Sequence, residues 1–462
     1  MSRATIWVPY LSTAGGGEAE LLATADACRS LGLEVLLAGL DPLSSSGISN
    51  ILGRELEHDS YLQIRDKGSL YSIAKNSDLF INGEYGGRMF APDCPSIFIC
   101  HFIDPKSLKI KSSSGLLANR TLGFLNDGIP IVSSRGKPAL ISTPSFYTIS
   151  EQGRLKISNR GGALKLVFNG SLAILGPGQS REFEGAGNLR VIGSPTLSFQ
   201  VEGLSDIRFM DYRQLQKPTN LFAHSFSSIW ANSSFSHHWM AKRWGVEAKL
   251  VSPPVETEIS TQVLAKKPHQ ILSVGRFFDP KDGHSKNQLL LVKAFRDLTR
   301  KSELPWHLHL VGGVSPEQSR YFEKVKKAAS GLNVTIHANA PKELLSGLYD
   351  TSTYFWHGSG IGQSMRQPWK FEHFGIAPLE AMAHGVIPIV YFKGGPKEVL
   401  DNFPQLQFSS LSMLSKIQLE LGSGKLEIST DLVRREAKNY SAEIFNTRAL
   451  KLIRPLIEPF EE

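Results

Sequence analysis

Glu372 and Glu380 stand eight positions apart in the stretch Glu372-His-Phe-Gly-Ile-Ala-Pro-Leu-Glu380. Between them, Phe374-Gly375-Ile376 reads as a turn that leads into an Ala- and Met-rich helix. A helix that starts after a glycine offers free backbone N–H groups, which can hold a phosphate. Carboxylates would repel that phosphate, so the two acids must serve something else, and sugar hydroxyls are their natural partners. A phosphate site with two hydroxyl acceptors points to a nucleotide sugar. Pro378 suits a first helical turn, and Glu380 is expected in that same turn, where the helix dipole favours an acid. The plainer reading is a capped surface helix with a stabilising glutamate. What lifts the functional reading is the context from Trp356 to Glu398, including the turn Gly394-Gly395-Pro396.

Two cations supply the counter-charge a diphosphate needs. Arg276 follows an apolar strand pattern and Lys286 precedes a helical one, so both can converge at strand ends on one anion. Such a pair stabilises a leaving diphosphate without a metal, and no Asp-x-Asp motif stands in a fitting position. Taken singly, an Arg or Lys is usually a solvated loop charge. Gly15, Gly16 and Gly17 at the first strand-to-helix turn either bind phosphate or allow a tight turn. A dinucleotide fingerprint would place a third glycine where Glu20 stands, although Asp41 ends the second strand where a ribose-binding acid would sit. His101 closes a short apolar run and faces the same side; a lone histidine is more often simply packed. Trp356, His357, Arg366 and Trp369 precede Glu372 and are candidates for a lid or a sugar pocket.

These residues are spread over 462 positions, too many for one ordinary core, so two or three domains are expected. The composition, 41% hydrophobic and 20% charged, is that of a globular protein. The formal charge of +8 suits an anionic ligand or an anionic membrane face, and no basic block suggests nucleic acid. Three cysteines without a Cys-x-x-Cys pair argue against a disulfide framework or a structural metal site, which makes a reducing, cytoplasmic setting the default. No run approaches the roughly 20 apolar residues of a membrane span; the expected location is cytoplasmic, with contact at the inner face of a membrane left open. Along the chain, Thr5 to Leu11, Glu34 to Leu40, Leu79 to Asn82 and Ser96 to His101 read as strands alternating with helices, hence a parallel sheet. From 105 to 218 short alternating segments are separated by Gly, Pro and Ser, the pattern of an inserted β-sandwich or β-roll. A second α/β unit opens at Ile271, and Ser441 to Ile457 reads as a closing helix.

The spacing Glu372-x7-Glu380 followed by Gly394-Gly-Pro-x-Glu398 resembles the GT4-type family of retaining glycosyltransferases with the GT-B fold. Other segments match in order: Ser273-Val-Gly-Arg276 with Lys286-Asn-Gln, Trp306-x-Leu-His-Leu-Val-Gly312-Gly313, His337-Ala338-Asn-Ala-Pro341, Asn232-Ser-Ser-Phe, Gly15-Gly-Gly-Glu18, and Ile97-Phe-Ile-Cys-His101. The resemblance implies two Rossmann-like domains facing a cleft, with residues 1–104 and 219–254 as the acceptor side and 255–440 as the donor side. Residues 105–218 form the β-rich insertion and 441–462 the closing helix. It further implies transfer of a hexose-type sugar, with retention and without a metal or a separate cofactor, from a nucleotide-diphosphate sugar to a glycan, lipid or small-molecule hydroxyl. Glu372, His101, Arg276 and Lys286 would then be catalytic. Gly16, Gly17, Gly312, Ala338, Phe374, Gly375, Ile376 and Glu380 would join the two cations in binding the donor. Two rival readings stand beside it: an NAD-dependent sugar-nucleotide oxidoreductase, and a non-catalytic carbohydrate-binding protein whose activity lies in the insertion.

Overall fold

The structure, a computed structural model, describes residues 2–43 other than 14, most of 60–103, strand segments between 139 and 202, and residues 223, 226–257 and 265–458. Two parallel sheets form its frame. The first contains β1 (Arg3–Trp7), β2 (Glu34–Gly39), β3 (Ser60–Gln63), β4 (Leu79–Asn82), β5 (Ser96–Cys100), β14 (Ser228–Ala231) and β15 (Lys249–Leu250), in the order β15-β14-β5-β4-β1-β2-β3. Every pairing in it is parallel. Helices α1 (Gly16–Ser30), α2 (Lys67–Ala74) and α3 (Ser234–Trp244) connect these strands. The strand expected over Thr5 to Leu11 ends at Trp7, because Pro9 cannot donate to a ladder and opens a turn that carries Leu11 into a short 3-10 helix.

Between β5 and β14 lie β6 (Ala139–Ser142), β7 (Ser145–Ile149), β8 (Arg154–Asn159), β9 (Leu164–Phe168), β10 (Ser171–Leu175), β11 (Ser180–Glu184), β12 (Gly187–Ile192) and β13 (Ser198–Glu202). They pair only antiparallel, in two four-stranded sheets ordered β10-β9-β12-β7 and β11-β8-β13-β6. Because β14 pairs with β5, the first sheet resumes across these strands and they form an insertion.

The second parallel sheet holds β16 (Lys267–Val274), β17 (His307–Gly312), β18 (Val334–Ala338), β19 (Ser352–His357), β20 (Ile387–Tyr391) and β21 (Gln407–Phe408), in the order β18-β17-β16-β19-β20-β21. Around it run α4 (Gln288–Arg300), α5 (Ser319–Ala329), α6 (Lys342–Thr351), α7 (Ile376–Ala383), α8 (Gly395–Val399), α9 (Leu411–Gly422) and α10 (Thr430–Lys438). Its core is built on Phe295, Trp306, Trp356 and Phe371, none more than 1% exposed. Burying each such ring is worth about 2 to 3 kcal/mol. The last helix, α11 (Ala442–Ile457), capped by Ser441, crosses back: Phe445, Ala449 and Ile453 are buried in the core of the first body against Leu21, Ala25 and Cys28 of α1. Among the described residues no helix is long and apolar enough to cross a membrane.

Candidate functional site

In an open parallel sheet, side chains at the C-terminal ends of the strands face a common crevice. At the end of β16, Gly275 lets the Lys286 stem lie directly over the backbone. Asn287, next in sequence, caps α4 in the left-handed region at φ 56° and donates to the Gly358 carbonyl at 2.7 Å, which fixes where Lys286 begins. Lys286 Nζ reaches Glu372 Oε2 in an ion pair. The same oxygen has His284 Nε2 at 3.2 Å and His357 Nε2 at 3.1 Å. Burial pushes the Glu372 pKa up, yet Lys286, then His284 and His357, overcome it and hold the carboxyl well below its usual range. Burial, with Lys286 beside it, lowers His357 to about 3, so this imidazole is neutral. Among the described residues no group of three His, Cys, Asp or Glu is arranged to hold a metal ion.

Glu380 has the opposite surroundings. Helix α7 starts at Ile376 with Gly375 as its N-cap at φ 111°, a conformation that excludes a side chain without strain. Glu380 therefore lies in the second turn, not in the first turn expected from Pro378. The glycine turn begins the helix earlier, and the first turn of α7 holds no acid. Its free N–H groups and dipole stay available to an anion. The Glu380 carboxylate accepts a hydrogen bond from the Tyr349 hydroxyl at 2.9 Å. Burial raises its pKa; the Tyr349 bond and the Lys286 charge oppose the rise without cancelling it. Tyr349 in turn stacks on His384, which pairs with Asp350 at 2.7 Å.

The first body meets this corner directly. Ile376 Cδ1 lies over Gly16 so closely that a Cβ at Gly16 would overlap it, which brings the N-termini of α1 and α7 face to face. A Cβ at Gly17 would lie 3.1 Å from His101. His101 Nε2 is 3.1 Å from Glu20 Oε2. Phe102 stacks on His373 with centroids 3.9 Å apart. Ser233, the N-cap of α3, also donates to the His373 carbonyl. Both oxygens of Glu398 accept backbone N–H groups at the start of α3, from Ser234 at 2.7 Å and Phe235 at 2.6 Å.

Glu372, Lys286, Gly375, Ile376, Gly16, Gly17 and His101 are thus neighbours along one continuous set of contacts. Arg276 is exposed, packs its stem near Gly313, and has no carboxylate partner among the described residues. Gly312 abuts the Gly275 backbone, and Ala338 ends β18 with its side chain exposed. Phe374 is packed in the core against Tyr440, so its ring is not offered to a ligand. Of the four residues considered for a lid or pocket, His357 touches Glu372. Trp356 is fully buried and donates to Gln418, because its strand position points into the core. Arg366 is exposed, and Trp369 packs on the core of the first body. His284 and Tyr349 touch the two glutamates although nothing in their local sequence marks them, while His373 and Glu20 pack beside them on Phe102 and His101.

Residues 255–405 match the family model described as glycosyl transferases group 1. They form a group 1 glycosyl transferase domain. Similar proteins include the GDP-Man:Man(3)GlcNAc(2)-PP-Dol alpha-1,2-mannosyltransferases of Yarrowia lipolytica and Dictyostelium discoideum. The first is 27% identical over 39% of this chain and 29% of that protein, the second 25% identical over 50% and 46%. The chain thus matches less than half the length of these curated relatives. Among solved structures, the Anabaena protein Alr3699/HepE, in complex with UDP and glucose, superposes over 99% of this chain and 100% of its own at a TM-score of 0.57 and 10% identity. WaaG, a glycosyltransferase involved in lipopolysaccharide biosynthesis, covers 97% of this chain and 99% of its own at 0.53 and 10%. The fold of this chain is GT-B.

Proposed function

We propose that the protein is a retaining glycosyltransferase that moves a hexose, with GDP-mannose as the expected donor, onto a hydroxyl of a glycan, lipid or small-molecule acceptor. The observation that carries this reading is the pairing of two helix N-termini, α1 at Gly16 and α7 at Ile376, beside Lys286 and Glu372. That corner offers backbone N–H groups and a cation to a diphosphate, with acids on either side for hydroxyls. Glu380, one turn into α7, receives the ribose diol on the oxygen that Tyr349 leaves free. Glu372 accepts from the sugar hydroxyls through Oε1, since three nitrogens already surround Oε2. That crowding makes Glu372 a poor nucleophile, in keeping with front-face displacement through an oxocarbenium-like state. Arg276 and Lys286 stabilise the departing diphosphate, and no metal is required for that charge balance. Mannose and the guanine base come from the names of the relatives; the acceptor class is the one the family resemblance implies.

The oxidoreductase reading loses its ribose acid. Asp41 accepts the Ser12 N–H at 2.8 Å and its carbonyl accepts the Tyr61 hydroxyl at 2.7 Å, so it ties two loops together. A thermal-shift series against GDP, UDP, GDP-mannose and NAD tests the proposal, because a ligand that binds only the folded state raises its melting temperature. Stabilisation by GDP and GDP-mannose that disappears in Glu380→Ala is the expected result. Stabilisation by NAD alone would overturn it.

A further inference from the structure

Glu20 is a buried acid of this corner that the transfer reading leaves without a task. It lies on the inner face of α1, flanked by Leu21 and Leu22, and is 0% exposed. Neither carboxylate oxygen makes a hydrogen bond of good geometry among the described residues, and His101 Nε2, 3.1 Å away, is the ion-pair partner. Removing a carboxylate from water without a counter-charge costs several kcal/mol, so a purely structural role would be filled better by an apolar residue. His101 is itself held in place: Gly17 packs against its ring, and its carbonyl accepts the Ser236 hydroxyl at 3.0 Å. With Nε2 directed at the helix, Nδ1 is the ring nitrogen left for a substrate.

We propose that Glu20 is the positioning residue for His101, turning its Nε2 inward and presenting Nδ1–H as a charged donor to an oxygen of the bound nucleotide sugar. The inference rests on the transferase reading for its ligand, and on geometry alone for the pair. The other titratable groups facing the ring act in both directions. Glu18, on α1, favours the imidazolium; His373, from the turn before α7, stacks on Phe102 beside it and is neutral, its pKa held well below the usual range chiefly by burial. Cys100 is a buried thiol, pushed well above its usual range by burial, and carries no charge. Burial would lower the His101 pKa, but Glu20 and then Glu18 outweigh it and the result is raised. A charged donor next to the departing diphosphate, which takes the bonding electron pair as C1–O breaks, is worth more than a neutral one.

The test uses the full chain and GDP-mannose turnover, read as release of GDP. Glu20→Gln keeps the shape and removes the charge. It should lower kcat roughly 100-fold, the low end of what a positioned proton donor contributes, with KM little changed. The alkaline limb of the pH profile should move to lower pH, because His101 then loses its proton sooner. Glu20→Asp should restore part of the rate and of the limb. A wild-type rate and an unmoved limb in Glu20→Gln would overturn the proposal. Histidine NMR of the unmodified chain supplies a reading that needs neither turnover nor a variant. His101 should stay protonated above the ordinary imidazole midpoint of about 6.5. A midpoint at or below that value would also overturn it. Absent turnover in the wild type would instead defeat the transferase reading, and the NMR midpoint would still decide the pair.

Discussion

The pocket around Glu372 and the pocket around Glu380 share one helix start, and they prepare the same chemical group in opposite ways. Around Glu372 a lysine and two imidazoles converge on a single oxygen and keep the carboxyl charged despite its burial. Around Glu380 burial raises the pKa and a phenol supplies the closest partner. On the proposed reading, the sugar that develops positive charge has a full negative charge beside it in Glu372, and the ribose diol has an acceptor of fixed direction in Glu380. The contrast teaches that a motif written as two identical letters can place two carboxylates in opposite surroundings, because their partners come from elements far from either residue in sequence.

Breaking the charged pocket should have the largest effect. Glu372→Ala is expected to lower GDP-mannose turnover at least about 1,000-fold, the scale of losing a preorganised electrostatic group. Its melting temperature should also fall, since Lys286 loses its partner; a destabilisation of about 3 kcal/mol is the upper end for a pair that solvent partly reaches. Lys286→Ala should cost turnover about 100-fold and raise the Glu372 pKa, which moves the acid limb of the rate profile upward. A kinetic pH series reads both, and an unchanged acid limb would separate Lys286 from Glu372.

The phenolic pocket should break more gently. Tyr349→Phe removes one hydrogen bond to Glu380, worth about 1 kcal/mol, so GDP affinity by calorimetry should fall roughly fivefold with kcat little altered. If kcat fell as far as in Lys286→Ala, the contrast between the two pockets would fail. The smallest expected effect concerns pH and stability. His357 is depressed to about 3, so its contribution is complete above the free imidazole pKa and drains as the pH falls from there to about 3. Glu372 adds a second loss at lower pH, as its own depressed pKa is crossed. His309 behaves like His357 for the same cause, burial. Replacing His357 by Gln should therefore make the acid decline in unfolding free energy shallower between pH 6 and 4, by at most about 1.4 kcal/mol per pH unit.

The frame of the fold was legible because strand and helix patterns alternate: β1, β2, β4, β5, β14 and β16 through β20 all fall on apolar runs that the sequence displays. The insertion was legible from the same periodicity turning to two, and its strands pair antiparallel as that pattern implies. Strand β3 and helix α2 escaped because Ser60–Gln63 is short and polar at both ends and Lys67–Ala74 is only eight residues long with Gly68 in its first turn. At the site, Glu372, Lys286 and the glycine turn could be found by spacing. The first-turn placement of Glu380 failed because it rested on Pro378, whereas Gly375 at positive φ sets the helix start. His357, at the end of β19, was within reach as a candidate beside Glu372, whereas His284 and Tyr349 come from a loop and a helix far from the motif and reach the two acids only through packing, so no local pattern announces them. Glu20 was visible only as the residue that spoils a glycine fingerprint; its burial turns that exception into a partner for His101.

The grip of Glu398 on the first two N–H groups of α3 bears on how the two halves can be recombined. A chimera that takes its second half from another protein would strip the start of α3 of both acceptors unless the incoming half carries its own acid after the double glycine. The exchange would also have to stop before Ser441, because α11 belongs in packing to the half it leaves behind. Inheritance of the halves is thus linked at two points, one a single side chain and the other a whole helix.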